Sequence, residues 1–460
     1  MKRRGAVLLF AVVAAVGLWL VPAGATGRHD GGGRHGVDVL VVDKTPRHHR
    51  SCYGTRRPLP TIQDAVDRAE EGDTIFVCPG LYPETVTVDT PRLTIKGANA
   101  GRDATKGRRL PESVVTGQHR DGTVRLLRDD IAWDGFTIRG AREKENGPGL
   151  VTSKDHSGYL VRDTIFEDNG VGMDLASNGK RPTVVCRNRL VANNEFAAGG
   201  YGVFSSRGAQ DVLISSNKFK QHNGAAVFFA DRGARQRDIV IEHNKSVDDK
   251  TFLSLFNSSK VRVTANDIRA RVDDPEFPDR VSAIFIGARN DDVAAKKNRV
   301  RSASGNGIDV TNSGEPDTAD KTPTNVAVVG NKVEDAQLSG LHLALGTVSV
   351  RMTGNIALDS GSAPREDGFD CHDESAAGRG TAGRSNTWTA NVGRTSSPRG
   401  LCAAPSGDVD TPAGHAGEGH AKQGGKRHGK EHGKHRAKHK RPKQRPSDPC
   451  SCGLLFARRI

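Results

Sequence analysis

Three stretches decide the fold: Val212-Leu-Ile-Ser-Ser-Asn217, Ile239-Val-Ile-Glu-His-Asn244 and Val261-Arg-Val-Thr-Ala-Asn266. Each is a short apolar run that closes on asparagine. The same unit recurs at Asn188, Asn298, Asn331 and Asn355, so the seven asparagines follow at intervals of 29, 27, 22, 32, 33 and 24 residues. Five positions before them stand Thr183, Val212, Ile239, Val261, Val293, Val326 and Val350; three before stand Val185, Ile214, Ile241, Val263, Ala295, Val328 and Met352. Thirteen of these fourteen are apolar, where a chain that is 35% hydrophobic predicts about five. The residues between are mostly polar or basic, which is the period-two pattern of a strand with one buried face.

A second strand follows in each unit and aligns without gaps: Gly172-Met-Asp-Leu175, Gly202-Val-Phe-Ser205, Ala226-Val-Phe-Phe229 and Phe252-Leu-Ser-Leu255. The series continues with Ala283-Ile-Phe-Ile286, Gly307-Ile-Asp-Val310, Gly340-Leu-His-Leu343 and Gly368-Phe-Asp-Cys371. Units of this length cannot bury a core alone but do so when coiled and stacked. The expected fold is all-β, a single-stranded parallel β-helix of about 11 to 13 coils, ~55 Å long at ~4.8 Å per coil. The asparagine column would form an internal ladder of side-chain amides.

The pattern resembles the right-handed parallel β-helix superfamily of pectate-lyase-like proteins, over about Val37 to Cys402, in its secreted actinobacterial form. Its most specific part is Thr61-Ile-Gln-Asp-Ala-Val-Asp-Arg-Ala-Glu-Glu-Gly-Asp73, followed by Thr74-Ile-Phe-Val-Cys-Pro-Gly-Leu-Tyr-Pro-Glu-Thr85 and Leu93-Thr-Ile-Lys-Gly97. Thr61 with Asp64 makes a capping-box-like start, and Ile62, Ala65, Val66 and Ala69 share one helical face. Such a helix would cap the open end of the stack, where strand edges are otherwise unpaired. The segment Gly368-Phe-Asp-Cys-His-Asp373 resembles the G-x-D-P-H-D/E motif of mannuronan C5-epimerases, with Cys371 in place of proline; that likeness implies roles on the sugar for Asp370 and His372. The Arg-x-Pro-x-x-Arg of pectate lyases and the Asn-Thr-Asp of polygalacturonases are not found.

The ends differ from the body. Residues 1–25 read as an export signal, with Met1-Lys-Arg-Arg, an apolar run from Ala6 to Val21 and Ala23-Gly-Ala25 as a cleavage site. Residues 26–36 read as a flexible leader, 37–402 as the β-helix and 403–460 as a disordered basic tail. The net charge of +14 comes from these ends, since eleven Lys/Arg face two Glu between Thr411 and Pro446 while the body is near neutral. A nucleic-acid-binding body is therefore unsupported, and no membrane span is expected after signal cleavage. The expected location is secreted, extracellular or cell-wall associated, where disulfides are the default. Cys52 and Cys78 flank the capping helix and are paired on that ground. Cys371 is paired with Cys402, which ends a segment resembling the closing segment of secreted β-helix proteins. Of the seven cysteines, Cys186 sits in a polar outward column and reads as a free thiol; Cys450 and Cys452 lie in the tail. The tail histidines, His428, His432, His435 and His439 among them, are candidate metal ligands, or the tail is a solvated tether. No cofactor is identified.

The third position of the second strand points outward: Asp174, Phe204, Phe228, Ser254, Phe285, Asp309, His342 and Asp370. Two residues further on come Phe256 and His372. Asp174, Phe204, Phe228, Phe256 and Phe285 thus form the expected substrate-binding strip, and Asp309, His342, Asp370 and His372 the expected catalytic group. Asp309 and Asp370 would stand two coils apart, about 10 Å between backbones, with His342 between them as a proton shuttle. In the superfamily this outer face is where polysaccharide lies. Either the strip is a groove, or loops such as Arg271 to Arg280 and Ala141 to Gly149, or a second subunit, cover it. The expected function is a secreted protein that binds acidic extracellular polysaccharide or cell wall and, as a lyase, epimerase or glycoside hydrolase, modifies or cleaves it. The alternative is a non-catalytic glycan-binding or metal-binding scaffold.

Overall fold

The computed structural model describes residues 38–45, 52–117, 119–141, 147–194, 200–272, 281–313, 322–362, 368–376, 385–406 and 450. The export signal, the leader, Cys452 and the tail histidines lie outside these residues. The described chain is a solenoid of three parallel sheets. The first has thirteen strands, from Val39–Val42 to Thr387–Thr389; the second has twelve, from Val86–Val88 to Ser396–Ser397; the third has eleven, from Gly80–Tyr82 to Ile356–Leu358. One coil visits the first, third and second sheet in turn, as in Thr183–Cys186, Arg189–Val191 and Tyr201–Arg207, before Gln210–Ser215 returns to the first.

Registration in the first sheet follows the asparagine alignment residue by residue. Val212 pairs with Thr183 and Ile239, Ile214 with Val185 and Ile241, and the series runs through Val326 and Val350. The residue before each ladder asparagine has a left-handed backbone, at Arg187, Ser216, His243, Ala265 and Lys297, with glycine at 330 and 354. That conformation turns the chain sharply from the first sheet into the third. It also strips the bend of regular ladder bonds, and the asparagine supplies them. Asn217 Nδ2 donates to Asn244 Oδ1 at 3.0 Å, Asn244 Nδ2 to Asn266 Oδ1 at 3.0 Å and Asn266 Nδ2 to Asn298 Oδ1 at 2.9 Å, each also donating to a carbonyl one coil back. The ladder continues to Asn391.

A second internal ladder at the bend between third and second sheets was not anticipated. It joins Asn169, Asn193, His222 and Asp249, with His222 Nδ1 2.6 Å from Asp249 Oδ1 and both residues fully buried. The core between the sheets is aliphatic with aromatic stacks, such as Trp133 on Phe136 at 4.1 Å. At the N-terminal end the helix Ile62–Arg68 buries Ile62, Ala65 and Val66 against Val39–Val42, Thr74–Val77 and Val86–Val88. Thr61 Oγ1 accepts from Asp64 N at 3.0 Å, and the Glu84 carboxylate accepts from the N–H groups of Ile62 and Gln63.

Among the described residues three disulfides are present: Cys52–Cys78, Cys371–Cys402 and Cys186–Cys450. The third corrects the reading of Cys186 as a free thiol. Cys186 does point outward, but Leu160, Val184, Leu213 and Val240 make that outer patch of the first sheet apolar, and Cys450 seats on it. Arg162 Nη1 donates to the Cys450 carbonyl at 3.3 Å.

Candidate functional site

The outer face of the second sheet carries one continuous column. Cross-strand pairing runs Asp174, Phe204, Phe228, Ser254, Phe285, Asp309, His342, His372, Ser397. The rings of Phe204 and Phe228 stand 5.8 Å apart, Phe228 and Phe256 6.0 Å, and Phe256 and Phe285 5.3 Å. Tyr201, which sequence reasoning did not single out, joins them at 4.9 Å from Phe228. All five are half-buried, so the strip is a lined surface rather than a set of fully exposed rings. Residues 142–146 and 273–280, from the loops considered as covers, lie outside the described residues.

At one end stands Asp174, 3.1 Å from Arg207 Nη2. Burial raises its pKa and Arg207 opposes that rise. At the other end lies a polar cluster built by three successive rungs. His342 Nδ1 is 2.7 Å from Asp309 Oδ1, and Asp309 Oδ2 accepts from Ser282 Oγ at 3.1 Å. His342 Nε2 is 3.1 Å from Glu374 Oε2, while His372 Nε2 is 3.4 Å from Glu374 Oε1. Ser339 Oγ lies 3.1 Å from His372 Nδ1 and accepts from Phe369 N. The two imidazoles are 5.3 Å apart.

Asp309, His342 and His372 therefore come together as expected, but Asp370 does not. The glycine alignment placed Asp370 beside His342; the structure instead pairs Leu341 with Cys371 and His342 with His372, a shift of two residues. Because side chains alternate, Cys371 still points inward after an even shift. Asp370 is buried, and its carboxylate accepts from the N–H groups of Ser360, Arg394 and Thr395. It holds turns together and offers no carboxylate to the strip, which removes the proposed Asp309–Asp370 pair. Within the polar cluster the residue missed was Glu374. The signal was present, since a residue two past His372 on a strand points to the same side.

The cluster separates its charges strongly. Burial opposes charge on His342, yet the Asp309 carboxylate and then Glu374 raise its pKa from 6.5 to about 10. Glu374 is held below its ordinary range, chiefly by the hydrogen bond from His342. A ring protonated in the fold up to about pH 10, but in the unfolded chain only up to about 6.5, adds stability that is whole below pH 6.5 and lost as pH rises through 10. Chemical denaturation in chelator is expected to show stability falling steadily, by a few kcal/mol, between pH 6.5 and 10. A flat profile there would show that His342 does not carry its charge into that range.

Residues 190–363 match the family described as the right handed beta helix region. Together with the three parallel sheets, this makes the fold of the described chain a right-handed parallel β-helix. It is similar to the pectate lyase PEL9 of Emericella nidulans, 22% identical over 327 residues that cover 67% of this chain and 75% of the relative. Among solved structures it is similar to the catalytic unit of an α-1,3-glucanase from Streptomyces thermodiastaticus, at 15% identity and a TM-score of 0.46, covering 79% of this chain and 70% of the other. It is also similar to an alginate lyase from Paenibacillus, at 12% identity and a TM-score of 0.41, covering 64% and 91%.

Proposed function

We propose that the protein holds a polysaccharide lengthwise on the outer face of the second sheet and carries out proton-transfer chemistry on it at the Asp309–His342–Glu374–His372 end. The observation that carries this reading is the unbroken passage from the Tyr201–Phe285 strip into that cluster along one column. Successive rungs ~4.8 Å apart offer an apolar ribbon to the less polar faces of successive sugars, and the cluster offers a donor and an acceptor beside it. The similarity to a pectate lyase supports a polysaccharide as the ligand class, and we take an acidic polymer, met outside the cell, as the first candidate.

The geometry favours elimination or epimerisation over hydrolysis. Paired-carboxylate hydrolysis needs two carboxyl groups facing the scissile bond, and here Asp309 is buried under His342 while Asp370 faces the turns. Glu374, about half exposed, is an ionised acceptor next to the protonated His342 ring. Proton removal from a sugar carbon and delivery to a leaving oxygen, or back to the same carbon, need that arrangement. The full-length protein should be incubated with a panel of acidic polysaccharides while unsaturated ends, new reducing ends and epimerised residues are followed. Turnover should fall at least 100-fold in Glu374→Gln with binding retained. Binding without turnover in the wild-type protein would leave a recognition surface and remove the chemistry.

A further inference from the structure

The same cluster has the construction of a metal centre, a reading that stands on its geometry alone and does not depend on the polysaccharide. Both imidazoles have their Nδ1 atoms engaged from behind, His342 by the Asp309 carboxylate at 2.7 Å and His372 by Ser339 Oγ at 3.1 Å. With Nδ1–H donating to those acceptors, Nε2 is the ligating atom of each ring, and a cation bound there displaces the second proton of His342. Both Nε2 atoms are turned toward one carboxylate, Glu374, at 3.1 and 3.4 Å from its two oxygens. One donor atom from each of His342, His372 and Glu374 lies within 4.8 Å of the others. A tetrahedral ion with bonds of ~2.0–2.1 Å needs ligand atoms roughly 3.3–3.4 Å apart, so small side-chain adjustments suffice.

We infer that His342, His372 and Glu374 form a three-ligand site for a first-row divalent cation, with zinc the natural probe. Two histidines and one carboxylate leave a fourth position open, the pattern of a site that binds an exchangeable water or ligand rather than a closed structural one. A carboxylate behind one metal-binding imidazole and a hydroxyl behind the other are the outer partners that fix ring orientation in such sites. Asp309 and Glu374 supply the negative charge that offsets a dication. The ligands come from adjacent rungs of a parallel sheet, Leu341–Leu343 and Cys371–Asp373, with Glu374 directly after the latter. They are thus set by backbone register on a rigid scaffold.

The test is zinc titration by calorimetry of chelator-stripped full-length protein, with no polysaccharide present, alongside His372→Ala, Glu374→Gln and Ser339→Ala. A fourth variant replaces His428, His432, His435 and His439 by alanine, so that binding by the tail is counted separately. One equivalent of bound zinc should disappear in His372→Ala and in Glu374→Gln and persist in the tail variant, and Ser339→Ala should bind that equivalent about tenfold more weakly. Glu374→Gln replaces a half-exposed side chain by its isostere, and its circular dichroism in chelator should match the wild type, which separates lost ligation from lost folding. Zinc bound in the same amount and affinity by wild type, His372→Ala and Glu374→Gln would overturn the inference, as would loss of all zinc in the tail variant alone.

Discussion

Asn244→Ala is expected to lower the stability of the β-helix by on the order of 4 kcal/mol, one of the two largest effects anticipated here. The side chain is almost wholly buried, and it bonds on both sides. Its Oδ1 accepts from Asn217 N at 2.9 Å and Asn217 Nδ2 at 3.0 Å, and its Nδ2 donates to the Ile214 carbonyl at 2.9 Å and to Asn266 Oδ1 at 3.0 Å. Alanine leaves two donors and a carbonyl facing each other in a site too tight and too dry to replace them, at roughly 1–3 kcal/mol for each buried group left unmatched. Asn244→Asp should cost as much, because it sets a carboxylate oxygen against the Ile214 carbonyl and Asn266 Oδ1. Lys245→Ala, one residue on and exposed, should stay within about 0.5 kcal/mol. Urea denaturation of the three variants checks the set; an Asn244→Ala midpoint equal to that of Lys245→Ala would show that the ladder is ornamental.

Asp309→Asn is expected to cost about 3 kcal/mol at pH 6 in the absence of metal. Asp309 is buried beneath His342 and is the nearest counter-charge to a protonated ring that is itself largely buried. Asparagine keeps the shape and can still accept from Ser282, so the loss reads the charge pairing rather than the packing. The variant's deficit should shrink toward pH 10, where about half of the wild-type rings have lost the proton. Equal losses at pH 6 and pH 10 would point to packing and remove the charge pair as the organising feature of the cluster.

These two sites also mark what the sequence reveals and what it conceals. The asparagine ladder was legible because it combines a period-two strand with a left-handed bend repeated seven times, and local chemistry alone demands an amide there. The aromatic strip was legible for the same reason, as one column of one strand. The last coil was not. Gly368 imitates the glycine that opens the neighbouring strands, yet the register is fixed by Leu341 meeting Cys371, a pairing between rungs that no local pattern specifies. That two-residue shift buried Asp370 and brought His372 and Glu374 into the column. Tyr201 escaped because the alignment began one residue after it. The pairing of Cys186 with Cys450 joins residues 264 apart in sequence, and only the apolar outer patch around Val184 and Leu213 hinted that a segment seats there.

The central claim is that the strip holds a polymer, and its most direct measurement is binding to a panel of acidic polysaccharides by the wild-type protein and by Phe228→Ala combined with Phe285→Ala. These two half-buried side chains face outward on rungs two apart, and their removal should leave the urea midpoint within about 1 kcal/mol of wild type while truncating the ribbon in its middle. The account predicts that at least one polymer binds the wild type and binds the double variant at least tenfold more weakly, each lost aromatic contact contributing roughly 1 kcal/mol. Equal affinity in both proteins, or no binding of any polymer by the wild type, would contradict it.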